Sequence, residues 1–326
     1  MRNGVVRGVQ YQGWGAGNGE GDMNISWNTK APVMSFSRTL LIVLLLAAGA
    51  VTAQDVQTLL EEAAAGDASA QFKAGLLYQE GWGVSEDAAA AVSWYRKAAE
   101  QGHVRAQFNL AVIYDTGDGV PEDNAEAAKW YREAAGQGFS SAQFNLGLMY
   151  ADGRGVPRDG AEAVNWYRKA AAQGHVRAQF NLAVICDAGT GVPEDDTEAL
   201  NWYRKAAEQG HVQAQFNLGR MCRNGWGAPE DDAEAVKWFR KAAVQGNAIA
   251  QCRLGTMYDT GEGVLEDDVT AYAWYSVAAA SGNSLAQFLF VDGKKETLTP
   301  AQLENSRALA TEIIEQIREQ KAAQAE

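Results

Sequence analysis

Histidine and cysteine are too scarce in this chain to build most metal or catalytic centres, with three of each in 326 residues. No C-x-x-C pair and no H-E-x-x-H segment occurs, so zinc ribbons and zincin-type sites are excluded. S-x-x-K and G-x-S-x-G are missing too, which removes two common settings for an activated serine. Basic charge is short: 28 Lys and Arg face 41 Asp and Glu, a net of −13. Nucleic acid and anionic lipid, which call for a basic footprint, are excluded as general partners. Proline is sparse as well, six residues against 34 glycines. That imbalance has its source in repetition.

Long apolar runs are confined to one place. Residues 1–33 are Gly- and Asn-rich without periodicity, and read as a disordered or spurious leader. Met34 opens a different text: Arg38 supplies a positive start, Leu40 to Ala50 an apolar stretch, and Val51-Thr52-Ala53 a small-residue cleavage site. Residues 34–53 therefore read as a signal peptide cut after Ala53, which places the mature protein in the periplasm or outside the cell. The run is short of the ~20 apolar residues that span a bilayer, so stable membrane insertion is not expected. A membrane tether remains open if cleavage fails. Removal of the leader leaves 24 basic and 39 acidic residues, net −15.

What is present is a 36-residue unit, clearest at His103 to Gly138 and repeated six times over residues 67–282. A period of this length marks a stacked array in which no unit can bury its apolar face alone. In each unit, apolar residues recur at helical spacing. Ala106, Leu110, Ala111 and Tyr114 mark a first helix, and Ala127, Trp130, Tyr131, Ala134 and Ala135 a second. Gly117 and Gly138 sit where the two helices must stop, in positions suited to left-handed caps. The last residue of the G-x-G-V-P-x-D turn is Asp in all six units, from Asp87 to Asp267, and Asp is a strong N-cap. Glu126, Glu162, Glu198 and Glu234 follow three residues later and are expected to complete capping boxes. A small residue in the first helix (Gly75, Ala111, Gly147, Ala183, Gly219, Gly255) admits the second helix closely. Residues 54–66 read as an N-terminal helix. Residues 283–326 read as a partial repeat followed by a capping helix that starts at Thr299-Pro300-Ala301-Gln302 and carries an apolar stripe of Leu303, Ala310, Ile313, Ile314 and Ile317.

Three motifs carry a family resemblance: L-G-x-x-Y (Leu146, Gly147, Tyr150), the G-x-G-V-P-x-D turn, and A-x-x-W-Y-R-K-A-A-x-Q-G from Ala163 to Gly174. Together they resemble the Sel-one-like repeat, a relative of the tetratricopeptide repeats. The resemblance implies an all-α fold, a right-handed α/α superhelical solenoid, that binds protein partners without catalysing a reaction. Some exported relatives are associated with β-lactam or peptidoglycan binding, which makes a cell-wall-active hydrolase the alternative. Departures are local: Leu265 replaces the turn proline, Phe239 a tyrosine, and Cys186 and Cys222 the tyrosine seen at Tyr114.

The scarce chemical residues read as scaffold. His103, His175 and His211 share the first position of a unit and are helix-start residues. Adjacent units hold that position about one helix-packing distance apart, too far for a shared zinc. Cys186 and Cys222 are too distant for a disulfide on the same ground, while a Cys222 to Cys252 bridge stays open. Segments such as Asp115 to Gly119 lack the spacing of a calcium loop. No cofactor and no metal is expected. Function is expected instead on the outward face of the first helices, which lies opposite Ala106, Leu110, Ala111 and Tyr114 at 100° per residue. The candidate residues there are Lys73; Arg105, Asn109 and Val112; Asn145 and Leu148; Arg177, Asn181 and Val184; Asn217 and Arg220; and Arg253. The resemblance implies that this face lines a concave groove. The asparagines would offer paired donors and acceptors to an extended peptide's backbone, and the cations would hold its carboxylates. Trp82 and Trp226, in G-W-G turns, read as exposed aromatics at a second contact edge.

Overall fold

The computed structural model describes residues 53–190, 192–287 and 291–325. The leader and the signal-peptide reading, up to residue 52, lie outside them. Among the described residues the chain is all-helical. Helix α1 (Ala53–Ala64) precedes six hairpins: α2 (Ala68–Glu80) and α3 (Ala88–Glu100); α4 (Val104–Thr116) and α5 (Asn124–Gly136); α6 (Ser140–Asp152) and α7 (Gly160–Ala172); α8 (Val176–Ala188) and α9 (Asp196–Glu208); α10 (Val212–Asn224) and α11 (Asp232–Val244); α12 (Ala248–Thr260) and α13 (Asp268–Ala280). Two short helices, α14 (Ser284–Ala286) and α15 (Asp292–Lys295), lead to α16 (Pro300–Ala325). Each helix packs on its hairpin partner, and each second helix on the first helix of the next unit. The result is a solenoid.

Sequence explains why every hairpin helix has the same length, 13 residues. First helices end at a glycine in the left-handed region, such as Gly117 at φ 70°, where a side chain would be strained. Second helices begin at an aspartate whose carboxylate accepts the amides of the first turn; Asp123 takes both Ala125 N and Glu126 N. The reciprocal half of the expected capping box does not form. Each aspartate's own N–H already donates to the carbonyl nine residues earlier, near the end of the first helix of the same hairpin, as in Asp123 N to Tyr114 O at 2.9 Å. Freed from that role, Glu126, Glu198 and Glu234 accept from the indoles of Trp130, Trp202 and Trp238 at 3.1 to 3.2 Å. A complete reciprocal box does open α16, between Thr299 and Gln302.

The core is a repeated contact of glycine or alanine with an aromatic ring. A Cβ built on Gly75, Gly147 or Gly255 would lie 2.6 to 2.7 Å from Tyr95, Tyr167 or Tyr275, so the small position sets the helix separation within each hairpin. At the C-terminal end α16 packs on α13 and α11, burying Ala310, Ile313 and Ile317.

A polar ladder runs through this apolar stack, and the sequence does not announce it. Buried Gln71, Gln107, Gln143, Gln179, Gln215 and Gln251 each donate to an alanine carbonyl of the preceding second helix, at 2.9 to 3.1 Å. The first five of them accept from Gln101, Gln137, Gln173, Gln209 and Gln245, 30 residues on, at 2.7 to 2.8 Å. Ser281 occupies that second position in the sixth unit, and Gln251 Oε1 is left buried without a hydrogen-bond partner. Replacing Gln143 by Leu strands a carbonyl and an amide, and is expected to cost about 2 kcal/mol in chemical denaturation. Ser281→Gln is expected to raise stability by about 1 kcal/mol in the same measurement, since it supplies the missing donor.

Candidate functional site

The first-helix face is less open than helical periodicity alone predicts. Lys73, Arg105, Arg177 and Arg253 are exposed, while Asn109 and Arg220 are half-buried. Asn145, Asn181 and Asn217 are only 8, 6 and 6% exposed, and Val112, Leu148 and Val184 are buried with them. These six are corrected from solvated ligand groups to the floor of the face. The cause is the preceding unit. Its second-helix tyrosine brings a hydroxyl against the asparagine, so that Asn109 faces Tyr95, Asn145 faces Tyr131 and Asn181 faces Tyr167.

The same hydroxyls organise a row of acceptors on the first helix of their own hairpin. Tyr95 donates to Gln79 at 2.6 Å, and Tyr131, Tyr203 and Tyr275 donate to Asp115, Asp187 and Asp259 at 3.3 Å. Burial pushes the phenol of Tyr131 well above its ordinary value, with the Asp115 charge acting in the same direction. Each aspartate also takes a cation. Asp115 pairs with Arg154, Asp187 with Arg220 at 3.3 Å, and Asp259 with Lys294. In the fifth unit Phe239 lacks a hydroxyl, and Arg223 stands where the aspartate would be, pairing with Glu262 at 2.6 Å. Arg220 is thereby corrected too: it serves Asp187 and lies 5.1 Å over the half-buried Trp226. Trp82 is likewise half-buried rather than exposed.

Arg177 lies over the ring of Phe144, 4.8 Å from its centroid, and burial lowers its pKa. Two histidines flank it. His103, His175 and His211 cap the first helices, each accepting through Nδ1 from the amide three residues on. Their rings stack on Phe72, Phe144 and Phe180 at 4.7, 4.7 and 4.4 Å. Burial, with the Arg177 charge second, brings His175 and His211 down to about 4. An imidazole whose Nδ1 is already an acceptor for backbone and whose proton affinity is depressed is a poor general base near neutrality.

The three cysteines are buried and free, and burial raises all three thiols, Cys186 to about 12 and Cys222 to about 11. The Cys222 to Cys252 bridge left open by the sequence does not form. Loss of the tyrosine hydroxyl at Cys186 and Cys222 is felt by the arginines that would bind it. Arg96, Arg132 and Arg240 donate to Tyr114, Tyr150 and Tyr258. Arg168 and Arg204 turn instead to Glu198 and Glu234, at 3.5 and 3.1 Å. Among the described residues no three His, Cys, Asp or Glu side chains converge as metal ligands, and no helix is long and apolar enough to cross a membrane.

Stacked helix hairpins with glycine-capped first helices, aspartate-capped second helices and a continuous inter-unit ladder define an α/α solenoid of the repeat class. The Sel1 repeat matches the chain six times, at residues 68–103, 104–139, 140–175, 176–211, 212–247 and 248–283, and the chain belongs to that family. A Sel1 repeat protein from Oxalobacter formigenes is similar at 34% identity and a TM-score of 0.59, over 73% of this chain and 95% of that one. A protective antigen of uropathogenic Escherichia coli with an SLR fold is 31% identical over 83% of this chain and 74% of its own, with a TM-score of 0.36. No curated protein is significantly similar in sequence. Sel1 repeat proteins generally act as protein-interaction scaffolds and are typically non-catalytic.

Proposed function

We propose that this protein is a non-enzymatic scaffold, periplasmic or secreted, that holds an extended acidic segment of a protein partner along its first-helix face. The carrying observation is charge placement. Lys73, Arg105, Arg177 and Arg253 stand exposed on that face, and no acidic residue occupies the three positions per unit that define it, although the whole chain carries −13. A cationic strip on an acidic protein steers acidic segments toward that face. The exposed cations supply contact, while the buried Asn145, Asn181 and Asn217 form a floor.

Charge reversal tests this reading. In crosslinking and pull-down from the cell envelope, the double variant Arg105→Glu, Arg177→Glu is expected to lose at least ten-fold in recovery of specific partners, with its helical content unchanged. Undiminished recovery would exclude this face as the binding surface.

A further inference from the structure

Five of the six second helices carry a tyrosine whose hydroxyl points back at one position of the first helix in the same hairpin. That position holds Gln79, Asp115, Asp187 and Asp259 as acceptors, and Arg223 where the tyrosine is Phe239. In the third unit alone, among the described residues, the pairing fails: the position is Ala151, and the Tyr167 hydroxyl is buried without a hydrogen-bond partner. Tyr167 is 0% exposed. The Asn181 carboxamide lies beside the hydroxyl, outside hydrogen-bond geometry. A buried donor left unmade costs about 1–3 kcal/mol, and no feature of the hairpin requires this one.

A second donor with a long partner stands in the same neighbourhood. Arg154, whose charge is felt at the Tyr167 hydroxyl, spends one terminal nitrogen on Asp115. Its buried Nε makes a longer ion pair with Asp152 Oδ2, at 3.6 Å. Arg158 donates to the backbone carbonyl of Ala151 itself at 3.1 Å, and Arg177 adds a further charge at the tyrosine. Arg154 and Arg158 both act on Asp152, and Arg154 also pairs with Asp115. Ala151 itself is half-buried, so its position on the first helix reaches the surface.

We infer that the third unit is a carboxylate socket: an Asp or Glu side chain of the bound partner enters beside Ala151 and accepts from Tyr167 and Arg154. The chain itself shows the bound state three times over. Asp115, Asp187 and Asp259 each receive a tyrosine hydroxyl and a cation from further along the chain; Ala151 lacks the carboxylate, and its cation would be Arg154 of its own unit. The socket rests on the proposed reading of the first-helix face, and gives that face a register. A partner's acidic residue would be fixed at the third unit while its neighbours run toward Arg105 and Arg253.

The test uses the full chain with tyrosine and arginine side chains isotopically labelled, titrated in NMR with two capped Gly-Ser octapeptides. One carries a central Asp and the other Asn. The Asp peptide is expected to move the Tyr167 signal with at least five-fold higher affinity than the Asn peptide. Ala151→Asp, which fills the socket from within, is expected to abolish that response and to shift the Tyr167 signal toward those of Tyr131 and Tyr203. Tyr167→Phe, which copies Phe239, is expected to bind both peptides alike. Equal affinity for the two peptides in the wild type, or an unchanged response in Ala151→Asp, overturns the socket and leaves the face. Silence of every signal along the face, Arg105 and Arg253 included, overturns the proposed function and the socket with it.

Discussion

Gly155→Ala is expected to split the array between its second and third units. At Gly119, Gly155, Gly227 and Gly263 the second glycine of the G-x-G turn lies against the start of the preceding unit's second helix. A Cβ on Gly155 would sit 1.9 Å from the Asn124 carbonyl oxygen and 2.3 Å from its carbon. Both are backbone atoms, so no side chain can swing aside. Gly155 also sits at φ 65°, where a non-glycine residue costs about 1–2 kcal/mol before any clash. The turn must therefore withdraw from α5, and in an array stabilised by nearest-neighbour interfaces that withdrawal is not shared by distant units. We expect a loss of more than about 3 kcal/mol and a single denaturation transition divided in two. Gly174→Ala is the control. Its φ is 86°, yet nothing lies within 4 Å of the added Cβ, so it is expected to cost only about 1 kcal/mol of strain, with one transition retained.

Acidification from pH 7 to pH 5 is expected to remove about 4 kcal/mol of stability through two histidines. His175 and His211 are held near 4 when folded and return to about 6.5 when unfolded. The unfolded chain therefore binds more protons in that window, and stability rises with pH there. The contribution is complete above about 6.5 and is lost as pH falls toward 4, at roughly 2 kcal/mol per group by pH 5. Asn247 caps its helix in the same position through Oδ1 at 2.9 Å, so asparagine is a native solution there. The double variant His175→Asn, His211→Asn is expected to keep its melting temperature nearly level between pH 7 and pH 5, while the wild type falls by several degrees. An unchanged slope in the variant would place the acid sensitivity elsewhere.

The hairpins are legible in the sequence because their determinants are local. Gly117 must stop a helix by conformation and Asp123 must start one by accepting amides, and both do so within a few residues. The glutamine ladder is not local. Gln107 and Gln137 meet across 30 residues, and their bond depends on how one hairpin rotates against the next; a polar residue in a helix otherwise reads as solvated. The candidate face was misjudged for the same reason. The 100° wheel treats α4, α6 or α8 as an isolated cylinder, whereas Tyr131 and Tyr167 reach across from the preceding unit and cover Asn145 and Asn181. The signal that could have found them is co-occurrence. Phe239 appears in the unit where Arg223 replaces aspartate.

These pairings give the array a fixed copy number. A tandem repeat can lose one whole unit in a single genetic event without breaking any helix, cap or glutamine contact, so the ladders alone would tolerate deletion. The tyrosine-side pairs do not. Excising residues 211–246 would take Arg220 from Asp187 and bring Glu262 to the place now held by Trp226, setting acid against acid at a buried seam. Excising 139–174 would strip Arg154 from Asp115. Units that look interchangeable along the helix axis are individually addressed along one edge, and the order of the chain is written there.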